Sequence, residues 1–380
     1  MIHITKTMKI ILISTLVAFS LSFVALGTSV AIEIVNNNSN TEDFSGGGGG
    51  GGKPVLQQTV PSKVTEGKKT GIKLPSSTPN NNYLGVVSDE TKDISDGESI
   101  KSGAIALVDI TDNVAVAGKN MDAKIYPASM TKVMTLLVAC ENAKDPNALL
   151  TVTEAMTKKY NRSENEGASV AFTWSTGDQV TVEDALHMVI YKSDTYACWL
   201  LADYVAGGED AFVALMNEKV EALGLTSTNF TNCTGLYNEN HYTTAREMAA
   251  IMAAVMNNEA ATAVITRIDM YTADICVNGE KSKTVDMWSD WYTGRLETHR
   301  WGTAAAPYAG NGSDIKIIAG KTGWETIPTS CFVTAAYNDI TGRRYVCVQV
   351  GRIDKDSDKI SEKVSTDDTR LAYQKYAIDE

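Results

Sequence analysis

A serine and a lysine three residues apart are the first side chains here that could do chemistry together. They stand in Tyr126-Pro127-Ala128-Ser129-Met130-Thr131-Lys132. On a helix, residues at i and i+3 share a face one turn apart. The Ser129 hydroxyl and the Lys132 amine are therefore expected to point the same way. A serine becomes a nucleophile when a base takes its proton. A lysine can be that base when burial or a nearby cation suppresses its charge. A helix N-terminus also offers N–H groups and a dipole that favour developing negative charge.

The element that must position this pair follows from its flanks. Pro127 suits the start of a helix and not its interior. From Ser129 to Cys140 the chain is apolar on nearly every face, which predicts a helix buried all round. A second Ser-x-x-Lys, Ser313 to Lys316, sits in a run that alternates like a strand, Asp314-Ile315-Lys316-Ile317-Ile318-Ala319. Residues at i and i+3 of a strand face opposite sides, so that copy cannot form a pair.

Two later stretches extend the constellation: Lys192-Ser193-Asp194-Thr195 and Gly320-Lys321-Thr322-Gly323. Ser-x-x-Lys, Ser-Asp-Asn and Lys-Thr-Gly together mark penicillin-binding proteins and class A β-lactamases. The flanks agree, namely Ala197-Cys198-Trp199-Leu200-Leu201-Ala202-Asp203-Tyr204-Val205-Ala206-Gly207, Asn232-Cys233-Thr234-Gly235-Leu236 and His241-Tyr242-Thr243-Thr244-Ala245-Arg246-Glu247-Met248-Ala249. Over about residues 102–378 the chain resembles the serine D-alanyl-D-alanine carboxypeptidases, the low-molecular-weight penicillin-binding proteins.

The resemblance implies roles. Ser129 attacks the carbonyl between two D-alanines, and Lys132 accepts its proton. Lys321 helps hold Lys132 neutral by like-charge repulsion. Ser193 relays a proton to the leaving amine. The N–H groups of Ser129 and Trp324 hold the oxyanion. Lys321, Thr322 and Arg352 take the terminal carboxylate, on the substrate strand that Gly323 completes. The implied partners are a peptidoglycan stem peptide ending in D-Ala-D-Ala and β-lactam antibiotics. No cofactor and no metal is expected, and His241 reads as a residue that fixes a turn. One position departs from the pattern. Thr195 stands where the family has asparagine. A hydroxyl is shorter and carries one donor, so acylation is expected to persist with weaker or altered substrate positioning. Three alternatives stay open: a serine β-lactamase, although no Glu-x-x-Leu-Asn lies between Ser193 and Lys321; a catalytically silent module that binds peptidoglycan or β-lactams; and endopeptidase action on crosslinks.

Composition bounds the rest. The chain has 380 residues, 43% of them apolar, and a net charge of −12. That balance argues against nucleic acid as a partner, since phosphate binding needs a basic surface. Residues 1–31 carry Lys6 and Lys9 before an uncharged apolar run, Ile10 to Ala31, with Ser29-Val30-Ala31 as a cleavage signature. This predicts a secretory signal or an uncleaved N-terminal membrane anchor. Either places the body outside the cytoplasmic membrane, at its outer face or in the cell wall. Residues 32–101 hold seven glycines at 46–52 and a polar, Pro-containing stretch, and read as a disordered tether. The six cysteines lack Cys-x-x-Cys spacing, and most read as buried thiols.

The catalytic body is expected at 102–380. Its predicted elements are strands at Ala104–Asp109 and on to Ala117, a loop-rich stretch from Asp145 to Asp178, and helices to Tyr191, over Thr195–Val205 and over Glu209–Leu223. Thr244 to Glu247 reads as a capping box opening a helix over Ala245–Asn257. Residues 265–312 read as a strand-and-loop excursion. Strands follow at Ile315–Ala319, Cys331–Tyr337 and Tyr345–Val350, then a helix over Thr366–Ile378. This is a mixed α+β fold, an antiparallel sheet flanked by helices. The resemblance makes it β-lactamase/transpeptidase-like, with a helical insert carrying the second motif.

Overall fold

The computed structural model describes residues 71–79, 81–94, 100–162, 165, 168–289, 314–324, 330–351 and 362–377. The elements in order are β1 (Lys92–Asp93), β2 (Ala104–Asp109), β3 (Val114–Lys119), a 3-10 turn at Ala128–Met130, α1 (Thr131–Asn142), β4 (Leu149–Thr151), α2 (Glu154–Tyr160), β5 (Asp178–Thr181), α3 (Val182–Tyr191), α4 (Thr195–Ala206), α5 (Glu209–Ala222), α6 (Ala245–Val255), α7 (Glu259–Ile265), β6 (Tyr271–Val277), β7 (Glu280–Met287), β8 (Ile315–Gly323), β9 (Cys331–Asn338), β10 (Arg344–Val350) and α8 (Glu362–Tyr376).

The main sheet has the order β1-β3-β2-β10-β9-β8. Its pairs are antiparallel apart from the short β1–β3 pair. Successive strand residues face opposite sides, and the sequence uses both. Ala104, Ala106 and Val108 of β2 face the helical layer together with Val346, Val348 and Val350 of β10. Ile105 and Leu107 face the other way, with Cys347 of β10 and with Ala372 and Tyr373 of α8. Helix α6 packs on the first face and α8 on the second. This is the antiparallel sheet flanked by helices that the strand pattern predicts. A second, four-stranded sheet, β4-β5-β6-β7, was not foreseen. Its β6–β7 hairpin occupies the start of the region read as a strand-and-loop excursion.

Helix α1 is the axis of the helical layer. Every residue from Thr131 to Cys140 is buried, and it packs on α3, α4, α5 and α6. Burying each of Val133, Met134, Leu136 and Leu137 contributes about 1.5–3 kcal/mol against exposure, which fixes the helix that carries the Lys132 stem. Helices α3 and α4 form the insert whose joining loop holds Ser193.

Three expectations change. The tether read as 32–101 is not free over its last third. Ile72, Tyr83 and Ile94 are buried in the body, and Ser76 N–H donates to the Cys140 carbonyl at 2.8 Å. Widely spaced apolar anchors in polar surroundings leave no periodic signal. Helix α2 sits inside the stretch read as loop, capped by Thr153, whose hydroxyl accepts from Met156 N–H. The capping box at Thr244 is half formed. Thr244 Oγ1 accepts from Glu247 N–H at 3.1 Å. The Glu247 carboxylate turns away and accepts from Thr226 N, Ser227 N and Thr228 Oγ1 at 3.0, 2.9 and 2.5 Å. Three donors outweigh the single N–H a closed box would offer. The segment 1–31, Arg352 and Ser313 lie outside the described residues, while Lys316, the other end of the second Ser-x-x-Lys, stands on β8.

Candidate active site

Ser129 sits in the 3-10 turn that leads into α1, and Lys132 is the second residue of that helix. Lys132 Nζ donates to Ser129 Oγ at 3.2 Å and to the Thr234 carbonyl at 2.5 Å. Lys132 is only 2% exposed. A lysine this deep is costly unless its amine is bound or neutral, and here two oxygens receive it. The chain enters the turn under strain, since Ala128 holds φ +46°. A left-handed backbone costs a non-glycine residue about 1–3 kcal/mol, and such residues gather at functional sites.

The third motif arrives on β8. Gly323 faces the serine directly, since a Cβ there would stand 3.1 Å from Ser129 N and 3.2 Å from Ala128 Cβ. Lys321 lies two residues earlier, so it shares that face. A bulge between Ile317 and Ala319 makes this so. Before it, Ile317 pairs with Ala336, and both face α8. After it, Ala319 pairs with Ala335, and both face the helical layer, as does Val333 opposite Lys321. One extra residue exchanges the two faces of the strand. Lys321 is buried, and its Nζ donates to the Thr322 carbonyl at 2.8 Å. Thr322 is half-buried, and Trp324, just past the strand, is 64% exposed.

The second motif forms the turn between α3 and α4. Ser193 holds φ +54°, a second strained residue. It is 9% exposed, and its buried Oγ has no hydrogen-bond partner among the described residues. An unpaired buried hydroxyl is an exception that calls for a reason. Asp194 builds the turn. Its carboxylate accepts from Ala197 N at 2.8 Å, Ala171 N at 2.6 Å and Trp174 Nε1 at 2.9 Å. Burial pushes this carboxyl above its ordinary range, and those three donors oppose the shift. Thr195 opens α4, is buried, and donates its N–H to the Ser169 carbonyl at 2.9 Å.

A fourth segment was missed as part of the site. Gly235 holds φ +85°, and a Cβ on it would fall 2.0 Å from the Ala128 carbonyl oxygen and 3.0 Å from Ser129 N. Only glycine fits there. The Ser129 nitrogen is thus approached closely by two glycines, Gly235 and Gly323. The sequence marks Asn232 to Leu236 as a stretch that agrees with the family, but the place of Thr234 and Gly235 against Lys132 and Ser129 is visible only in the fold.

The geometry combines a serine beside a buried lysine, a second serine with an unspent hydroxyl, and a Lys-Thr-Gly strand against the nucleophile's backbone. Comparison with known proteins agrees. Residues 90–302 match the model of the peptidase S11 family, described as D-alanyl-D-alanine carboxypeptidase. D-alanyl-D-alanine carboxypeptidase DacC of Escherichia coli K12 is 37% identical over 163 residues, covering 42% of this chain and 40% of the relative. The corresponding DacF of Bacillus subtilis 168 is 33% identical over 156 residues, covering 41% and 39%. The match therefore spans about two-fifths of the length of these relatives. Among solved structures, a mutant of the Streptomyces K15 DD-transpeptidase superposes with a TM-score of 0.61 at 23% identity, covering 72% of this chain and 97% of that one. Penicillin-binding protein 5 of Haemophilus influenzae gives 0.56 at 23%, covering 72% and 70%. The α+β fold, its motifs and the family match converge: this chain belongs to the peptidase S11 family of serine-type D-alanyl-D-alanine carboxypeptidases.

Proposed function

We propose that the chain is a serine DD-carboxypeptidase that removes the terminal D-alanine from peptidoglycan stem peptides through an acyl-enzyme, and that β-lactams acylate the same serine. The contact that carries this reading is Lys132 Nζ to Ser129 Oγ at 3.2 Å. It lies within the reach required of a base and its nucleophile.

Lys132 takes the hydroxyl proton as Ser129 Oγ bonds to the carbonyl carbon between the two D-alanines. Negative charge moves to the carbonyl oxygen, where the N–H groups of Ser129 and Trp324 receive it. Ser193 relays to the departing amine the proton that Lys132 had taken, which returns Lys132 to its neutral form, a task for which the uncommitted Ser193 hydroxyl suits it. The C–N bond breaks and D-alanine leaves. Water then attacks the ester, Lys132 takes its proton and passes it to Ser129 Oγ as the ester C–O bond breaks, and the shortened peptide departs. Lys321 and Thr322 bind the terminal carboxylate, and the charge of Lys321 keeps Lys132 neutral before attack. Residues 1–31 direct the body outward, to the outer face of the cytoplasmic membrane or the cell wall.

Labelling with a fluorescent penicillin tests this, alongside D-alanine release from a peptide ending in D-Ala-D-Ala. Wild-type protein should take the label and release D-alanine, and Ser129→Ala should do neither. Label that survives in Ser129→Ala would reject the assignment. Thr195, in place of the family's asparagine, favours a second reading, a silent binding module. Stable labelling with no D-alanine release would select it. Rapid, complete turnover of the β-lactam would instead indicate a β-lactamase.

A further inference from the structure

We infer that His241 is a positioning residue that locks the Thr231–Leu236 loop onto the first turn of α1 through Thr131, and so holds Lys132 against Ser129. The inference rests on the carboxypeptidase reading for its kinetic consequence, but its geometry stands apart from that reading.

Three ties join the loop to α1 in steps along the helix. Thr131 Oγ1 and His241 Nε2 stand 2.8 Å apart. Lys132 Nζ donates to the Thr234 carbonyl at 2.5 Å. Thr135 Oγ1 donates to the Cys233 carbonyl at 2.7 Å. Thr131, His241 and Thr135 are buried. The imidazole faces the loop with its other nitrogen, since Thr231 N–H donates to Nδ1 at 3.1 Å. A ring that accepts at Nδ1 carries its single proton at Nε2, so Nε2 donates to Thr131. Burial drives the imidazole down to about 3. The ring is therefore neutral and keeps Nδ1 as an acceptor.

The neighbouring bonds say why the link matters. Asn232 Oδ1 accepts from Gly235 N at 2.7 Å and Thr234 N at 3.2 Å, making the loop one tight unit. That unit supplies the carbonyl that receives Lys132 and the glycine that abuts the Ala128–Ser129 peptide. His241 is fixed beside the same loop by the backbone pairings that follow it directly, Tyr242 with Asn229 and Thr243 with Ile125. A slip of the loop would move the lysine's second acceptor and the wall behind the serine together. A shift of about 1 Å in such a constellation costs on the order of 100-fold in rate.

The test uses the full chain and three variants. His241→Asn keeps an acceptor near the Nδ1 position and loses the reach to Thr131. His241→Gln keeps a donor at that reach. Thr131→Val removes the hydroxyl at constant shape. Rapid mixing with a fluorescent penicillin separates binding from the acylation step, and burst amplitude gives the folded, active fraction. His241→Asn and Thr131→Val should each slow acylation at least tenfold with binding changed less than twofold. His241→Gln should stay within threefold of wild type, and the Asn/Val double variant should be no slower than the slower single. Wild-type acylation rates in His241→Asn, or a loss confined to burst amplitude, would overturn the inference. Hydrogen exchange judges it independently of any activity. His241→Asn should raise exchange at 231–236 and at 130–135, and unchanged exchange would also overturn it. Wild-type protein that takes no label defeats the carboxypeptidase reading and leaves the exchange measurement to decide this one.

Discussion

Ile317 and Lys321 lie four residues apart on one strand, yet they face opposite sides of the sheet. An even spacing would put them on the same side. The bulge at Ile318 separates them, and it turns Lys321 toward the serine. Deleting Ile318 removes the unpaired residue and joins Ile317, opposite Ala336, directly to Ala319, opposite Ala335, so Lys321 should keep its face. Penicillin labelling should then stay within about tenfold of the wild-type rate, in protein that keeps its far-UV circular dichroism. A loss of about 100-fold or more would show that the extra residue does more than set which face Lys321 takes.

Gly235 tolerates no side chain. Alanine there would place Cβ 2.0 Å from the Ala128 oxygen while holding φ +85°. Gly235→Ala should cost about 2–4 kcal/mol by denaturant titration, as steric overlap adds to backbone strain. Acylation should fall further than stability does, because the displaced atoms carry Ser129.

Asp194 accepts three donors in a dry site. An asparagine would offer one oxygen and point an amide toward a donor. Asp194→Asn should cost about 1–3 kcal/mol and slow acylation, since Ser193 hangs on that turn. A melting temperature unchanged from wild type would contradict the role given to the carboxylate.

Thr195→Asn restores an amide that both donates and accepts. D-alanine release should rise or hold steady, with acylation little changed. A large loss of D-alanine release would show that the threonine is tuned to this site.

His187 makes folding sensitive to acid. Its ring stacks on Tyr271 at 3.8 Å, and Nδ1 lies 2.9 Å from the Glu183 carbonyl. Burial, the largest cause, drives its pKa from 6.5 down to about 3. The folded chain binds that proton less readily than the unfolded chain. The contribution is complete above pH 6.5 and is lost as pH falls toward 3, by up to about 1.4 kcal/mol per pH unit. His241 acts with the same sign. The raised carboxyls of Asp194 and Asp368 act with the opposite sign above their ordinary 3.8. His187→Phe should therefore flatten the slope of stability between pH 6.5 and 4. An identical slope in the variant would refute the assignment.

Ser129 and Lys132 were legible in the sequence because a helix converts a spacing of three into proximity, and α1 is that helix. The ends of α3 and α4 were legible from Thr181 and Gly207, which cap them. The orientation of Lys321 was not legible, because a bulge is visible only against a partner strand. The contributions of Thr234 and Gly235 were equally hidden, being made by a carbonyl and by a missing side chain. His241 was half legible. Its sequence context marked a turn, but the bond to Thr131 spans 110 positions. Trp288 is exposed at the end of β7, while Trp291 and Trp301 lie outside the described residues.

The packing of the segment from Gly71 to Pro79 has a mechanical consequence. Ser76 N–H is bonded to Cys140 near the end of α1, the Ser76 carbonyl receives Asn258 Nδ2, and Gly71 N–H reaches Glu183. A pull applied at Gly71 would enter the body there, roughly 15 Å along α1 from the serine. It would strip a few peripheral bonds before any stress reached the hydroxyl and the amine.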